Sequence, residues 1–198
     1  MQASSWIADD GWLVRGHEAV RIEASSHFDL RPQEASIDLL VVHGISLPEG
    51  SYGGTAVTDL FMGRLDCAAH PSLHGLRGLR VSAHFFIERD GALTQYVSCL
   101  NRAWHAGLSS FRGRQHCNDF SIGVEIEGCD QDEYEPAQLE QLASLCEVVS
   151  RAYPSCRNLA AHSDIAPGRK TDPGPFFDWA LLHRLLEARG VPMRRQPQ

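Results

Sequence analysis

The sequence predicts an α/β fold: a single domain with a central mixed β-sheet flanked by α-helices. Three observations predict it. Residues 39–42 (Leu39, Leu40, Val41, Val42) form a short, continuous apolar run, the pattern of a strand covered on both faces. Residues 121–127 alternate, with Ile122, Val124 and Ile126 on one side and Ser121, Gly123, Glu125 and Glu127 on the other, as the two-residue period of a strand requires. Downstream lie two amphipathic helix patterns, and strands mixed with helices in this order point to helices packed on a sheet.

The elements follow in order. The apolar run at 39–42 ends in His43 and the segment Gly44 to Pro48. A short helix is expected around 56–63. Residues 81–87 read as a second strand. Asp90-Gly91 is a strong turn signal, and residues 93–97 then return as the partner of a hairpin. A long helix starts at Pro136, a residue suited to a first helical turn, and carries Leu139, Leu142, Cys146, Val149 and Tyr153 on one face. Pro154 stops it. A further helix is expected from about Asp178 to Arg189, with Leu181, Leu182, Leu185 and Leu186 inward, and Gly190 then Pro192 mark its exit. Residues 1–192 are expected to form the domain and residues 193–198 a loose polar tail.

At 198 residues the chain is long enough to bury a core without a disulfide or metal crutch. Hydrophobic residues at 43% and charged residues at 22% are ordinary for a globular protein. A formal net charge of -7 argues against a nucleic-acid binder, which needs a basic face. An acidic substrate would therefore need a local cationic pocket. Six dispersed cysteines without a CxxC pair read as reduced, buried apolar residues. Residues 1–11 lack a basic start followed by an apolar run, and no stretch is long enough to span a bilayer, so a soluble, cytoplasmic protein without membrane partner is expected.

The chain has no P-loop, GxGxxG, HExxH or GxSxG motif. It does have ten histidines. His43 emerges at the end of a strand, where sites of α/β sheets gather. His162 follows the strand-like run Leu159, Ala160, Ala161, and Asp172 comes ten residues later. Two imidazoles and a carboxylate make an N/O set suited to Zn²⁺, with a fourth position left for water. Asp164, His84 and His105 are rival ligands that spacing does not exclude. Glu125 is a candidate for orienting or deprotonating water if its strand face lines a cleft, whereas Glu127 reads as an exposed strand carboxylate. Lys170 is a candidate for stabilising an oxyanion.

The stretches 41–48 around His43, 80–84 ending at His84, 102–107 around Trp104 and His105, 117–125 ending at Glu125, and 165–175 with Lys170-Thr171-Asp172-Pro173 resemble the AmpD-type 1,6-anhydro-N-acetylmuramoyl-L-alanine amidases. The resemblance runs in order from about Gly11 to Trp179. It implies one zinc ion held by His43, His162 and Asp172, with Glu125 as general base and Lys170 as its electrophilic partner. It implies cytoplasmic turnover of anhydro-muropeptides and demotes His84, His105 and Asp164. Arg80 is a candidate clamp for a stem-peptide carboxylate, and Trp104 a candidate wall for sugar or peptide. The glycine-rich segment 48–54 is either a lid or an ordinary turn. Two residues depart from the family pattern: Gly44, where Asn is frequent, and Gly168, where an acidic residue is usual. A zinc-free muropeptide-binding module and an envelope amidase are the competing readings. The full ligand set argues against the first and the lack of a signal sequence against the second.

Overall fold

The computed structural model describes residues 6–14 and 20–195. In chain order the elements are β1 (Val20–Ile22), β2 (Phe28–Leu30), β3 (Leu39–Ile45), α1 (Ala56–Phe61), β4 (Phe85–Ile87), β5 (Leu93–Gln95), β6 (Asn101–Ala103), β7 (Ser110–Phe111), β8 (Arg114–Gln115), β9 (Ser121–Glu127), α2 (Pro136–Ala152), β10 (Asn158–Ala161), α3 (His162–Ile165), α4 (Trp179–Ala188) and β11 (Arg194–Arg195). Seven strands pair in the order β1-β5-β4-β9-β3-β10-β11. All neighbours are parallel except the β4–β5 hairpin, so the sheet is mixed, as expected.

The alternation along the central strands divides the interior. Leu40 and Val42 of β3 and Ile122, Val124 and Ile126 of β9 point into the larger core beneath α2 and α4. α2 contributes Leu139, Leu142, Cys146 and Val149, and α4 contributes Leu182 and Leu186. Leu181 and Leu185 lie only half-buried at its edge. Glu135 precedes α2 and donates its backbone N–H to Gln138 Oε1 at 2.9 Å. The buried Gln138 Nε2 in turn donates to the carbonyl of Glu127 at 2.9 Å, pinning the helix start to the end of β9. Asp178 caps α4 by accepting the N–H of Leu181 at 2.8 Å, and Gly190 ends it at φ 65, a conformation that favours glycine. All six cysteines are free and buried.

Among the described residues, the other face of the sheet carries no long helix. Leu39 and Val41 pack there with Phe111, Cys117, Phe120, Ala160 and Ile165, and loops close over them. His43 and Glu125 belong to this face.

Three expectations change. The strand expected at 81–87 begins only at Phe85. Before that, Ser82 Oγ donates to the carbonyl of His27 at 2.6 Å and Ser82 N to that of Trp104, so the chain is tied to neighbours that are not its ladder. Glu127 is not exposed: it retains 3% of its surface, with its carboxylate turned onto loop backbone. The expected tail at 193–198 is not loose at its start, because Met193 is fully buried and β11 pairs in parallel with β10. Residues 196–198 lie outside the described residues.

Candidate active site

Strand register assembles the site. His43 is the register partner of Glu125 across β3 and β9, and Val42 is that of Ala161 across β3 and β10. His162, one residue beyond Ala161, therefore stands beside His43. Asp172 arrives on the loop after α3, which the Asp172 carbonyl holds by accepting the N–H of Ser163 at 3.0 Å. Four residues from three well-separated stretches, around 43, 125 and 162–172, thus meet near the C-terminal ends of adjacent parallel strands, where sites of open α/β sheets form.

The three expected ligands converge. Nδ1 of His43 and Nδ1 of His162 are 2.8 Å apart, His162 Nδ1 is 3.1 Å from Asp172 Oδ2, and His43 Nδ1 is 3.4 Å from the same oxygen. Bonds of about 2.0–2.2 Å in tetrahedral geometry place ligand atoms about 3.3–3.6 Å apart, so the triangle is a slightly contracted version of what a metal requires. The outer nitrogens are engaged elsewhere: His162 Nε2 donates to the carbonyl of Ala106 at 3.2 Å, and His43 Nε2 meets His105 Nδ1 at 2.9 Å. Lone pairs on both inner nitrogens then face a carboxylate oxygen. Such mutually repelling donors, taken out of water, call for a cation between them. This is the one group of three or more His, Cys, Asp or Glu side chains among the described residues with spacing suited to a metal ion.

The electrostatics agree. Burial, then the neighbouring His162, pushes His43 down to about 4, so its imidazole is neutral and able to ligate. Burial alone would raise Asp172, but the two imidazoles of His162 and His43 beside it outweigh burial and hold the carboxylate ionised. Glu125 lies 3.9 Å from His43 Nδ1. Burial, reinforced by the charge of Asp172, drives its pKa well above the ordinary carboxylate range, and Lys170 opposes the shift. The exposed Lys170 projects its charge onto both Glu125 and His43.

The rivals are accounted for by their partners. Asp164 accepts two hydrogen bonds from Arg195, at 2.8 and 2.9 Å, and the N–H of Ala161. His84 accepts the N–H of Gly123 at Nδ1 and donates from Nε2 to the carbonyl of Asn101. His105 sits on the far side of His43. Arg80 and Trp104 are brought to each other, the guanidinium 5.5 Å from the ring centroid. The indole N–H donates to Asp29 at 3.0 Å, and Arg102 binds both Asp29 and Asp119. No described contact joins this pair to the three converging ligands. The segment 48–54 is tied down: Gly53 N–H donates to Glu127, Tyr52 Oη to Asp132, and Gly50 N–H to Ser46 Oγ.

The sequence profile of the N-acetylmuramoyl-L-alanine amidase family matches residues 33–175. The 1,6-anhydro-N-acetylmuramyl-L-alanine amidase AmpD of Citrobacter freundii is 50% identical over 91% of this chain and 95% of its own length. Its Escherichia coli (strain K12) counterpart is 50% identical over 91% and 97%.

The chain belongs to the N-acetylmuramoyl-L-alanine amidase family.

The fold of this amidase agrees with solved relatives. A crystal structure of a selenomethionine derivative of AmpD superposes with a TM-score of 0.86 at 49% identity, covering 91% of this chain and 99% of that one. The E. coli amidase AmiD, solved with the substrate anhydro-N-acetylmuramic acid-L-Ala-D-gamma-Glu-L-Lys, gives 0.55 at 26% identity, covering 92% and 66%.

The two departures from the family pattern have local explanations. A Cβ on Gly44 would overlap the hydroxyl of Tyr134, which fills that space and donates to the carbonyl of Pro173 at 2.8 Å. Gly168 adopts φ 75, a conformation suited to glycine, and the turn that follows is closed by Arg169 and Lys170 N–H groups on the carbonyl of Ala166. Tyr134 was missed by sequence reasoning, and nothing in its surroundings, Glu133 and Glu135, marks it.

Proposed function

We propose that this amidase hydrolyses the amide bond between the lactyl group of 1,6-anhydro-N-acetylmuramic acid and the L-alanine of the stem peptide, as part of cytoplasmic peptidoglycan recycling. One Zn²⁺ is held by His43, His162 and Asp172. The observation that carries the reading is the convergence of three donor atoms within 3.4 Å of one another beside a buried carboxylate. Two imidazoles and one carboxylate are a set zinc accepts while keeping a position open. When bound, zinc supplies Lewis-acid polarisation of the amide carbonyl and acidifies water at the site.

The chain's own groups do the rest. Glu125, acting as the carboxylate, takes the proton of the attacking water and, as the acid so formed, returns it to the departing L-alanine nitrogen; burial raises its affinity for that proton. Lys170 offers positive charge where the carbonyl oxygen becomes anionic. Arg80 pairs with a carboxylate of the stem peptide, offsetting the net negative charge of the chain, and Trp104 forms a wall for sugar or peptide. The names of the AmpD relatives and the ligand of the AmiD structure support the substrate class. The cytoplasmic placement rests on the resemblance to AmpD-type enzymes.

The test joins metal content to product analysis. Protein purified without chelator is assayed for zinc and incubated with an anhydro-muropeptide and its non-anhydro analogue. About one zinc per chain, release of free peptide chiefly from the anhydro substrate, and loss of both zinc and activity in Asp172→Ala are expected. Zinc without cleavage of either substrate overturns the reaction, and equal cleavage of both overturns the specificity.

A further inference from the structure

We propose that His105 is a positioning residue for the metal centre: it locks His43 into the tautomer with its proton on Nε2, so that Nδ1 faces His162 and Asp172 with a free lone pair. The proposal rests on the zinc reading above and deepens it.

The direction of the hydrogen-bond chain follows from its far end. The carbonyl of Cys117 can only accept, so the hydroxyl of Ser121 donates to it, at 2.6 Å. With its one proton committed there, Ser121 Oγ is an acceptor toward His105 Nε2, 3.2 Å away. His105 therefore carries its proton on Nε2, and its Nδ1 accepts. The 2.9 Å contact between His43 Nε2 and His105 Nδ1 must then be donated by His43. A neutral imidazole has a single ring proton, so Nδ1 of His43 is left bare on the side of the other two ligands. Each link dictates the next, and only one arrangement satisfies all three.

The surroundings keep the chain in place. His43, His105 and Ser121 are all buried, so bulk water does not compete for these bonds. The His105 ring lies flat against β9 at Gly123, where an added Cβ would overlap it. Its backbone is fixed as well, since the N–H groups of His105 and Ala106 both donate to Asn118 Oδ1, at 3.2 and 2.8 Å. The same geometry explains why a histidine that spacing offers as a ligand does not bind: it meets His43 at the nitrogen that points away from the centre. Partners of this kind orient a metal-bound imidazole, and their loss typically weakens metal binding about 10–100-fold.

The experiment measures zinc affinity by competition with a chromophoric chelator for the wild type, His105→Ala, His105→Asn and Gly123→Ala. Imidazole ¹⁵N–¹H spectra report the tautomer of His43, and melting of the metal-free proteins checks that each variant is folded. His105→Ala is expected to bind zinc about 10–100-fold more weakly. His105→Asn, whose Oδ1 offers an acceptor where Nδ1 stood, is expected to recover most of that loss. Gly123→Ala, which displaces the ring without removing a polar group, should reproduce it. The proposal is overturned if His105→Ala binds zinc like the wild type, if Asn and Ala lose equally, or if His43 in the wild type carries its proton on Nδ1. If the wild type binds no zinc at all, the metal reading fails, and the tautomer spectrum alone decides whether His105 holds His43. Should His105→Ala not fold, Gly123→Ala and the wild-type spectrum decide.

Discussion

Glu125 and Glu127 stand two residues apart on the same face of β9, both buried, and the fold treats them in opposite ways. Glu127 is fully engaged: Oε1 accepts the N–H of Gly53 at 2.7 Å and Oε2 that of Arg89 at 3.1 Å, so it clamps two loops. Glu125 accepts no hydrogen bond from any described residue, and the neutral ring of His43 lies 3.9 Å away. Burial therefore raises its affinity for a proton. A mostly buried carboxylate with no protein donor calls for an explanation. Here the explanation is its place beside the three converging ligands. One carboxylate is spent on holding two loops, and the other is left for the proton transfer proposed above.

The sharpest way to break this comparison is to remove the proton carrier and leave its shape. Glu125→Gln is expected to lower turnover by about 10²–10⁴-fold while zinc content and melting temperature hold. Activity within about tenfold of the wild type, short of what loss of a general base costs, would take Glu125 out of the chemistry. Glu127→Ala should behave in the reverse sense. It strands two backbone donors near the surface, and urea denaturation should show a loss of about 1–3 kcal/mol, with the larger change in stability and the smaller in turnover. A variant as stable as the wild type would mean that the Gly53 and Arg89 amides find other acceptors.

The same contrast explains what was legible in the sequence. The alternation of β9 and the three-four spacing of α2 are local patterns, so their boundaries could be read nearly to the residue, whereas the apolar run at 39–42 marked only the start of β3, which continues through His43 and Gly44 to Ile45. His43, His162 and Asp172 stood out as candidates because each follows or flanks a recognisable element. Their selection over His84, His105 and Asp164 was not local. It depends on partners such as Arg195 for Asp164 and the Gly123 N–H for His84, which only the fold brings near. The burial of Glu127 was illegible for the same reason, since its partners lie 74 and 38 residues away. β11 was missed because two arginines carry no strand pattern, and pairing with β10 alone defines it.

Partnered buried groups also set the acid limit of the fold. Burial, and then the charge of Arg31, pushes His84 well below its ordinary value. The unfolded chain takes up a proton at this residue below about pH 6.5, whereas the folded chain does not. Stability is therefore complete above that pH and falls as the pH drops toward the folded value, by up to about 1.4 kcal/mol per pH unit for one proton. His84→Gln should flatten the pH dependence of stability measured between pH 6.5 and 5 by up to that slope. An unchanged slope would mean that other groups carry the acid sensitivity.

The smallest expected effect tests whether partnering reaches the ligand loop. Tyr134 holds the carbonyl of Pro173, the residue after Asp172, by one hydrogen bond of 2.8 Å, and its ring packs edge-on against Phe177 at 5.2 Å. Tyr134→Phe keeps the ring and deletes only the hydroxyl, leaving a buried carbonyl without its donor. The expected cost is about 1 kcal/mol of stability, together with a modest weakening of zinc binding, because the loop that presents Asp172 loses one of its ties. Gly44→Ala approaches the same contact from the other side, since its new methyl would occupy the space of the hydroxyl. If the two changes act on one contact, their double variant should cost less than the sum of the singles. Strict additivity would show that Tyr134 and Gly44 act independently, and that the space between them is packing alone.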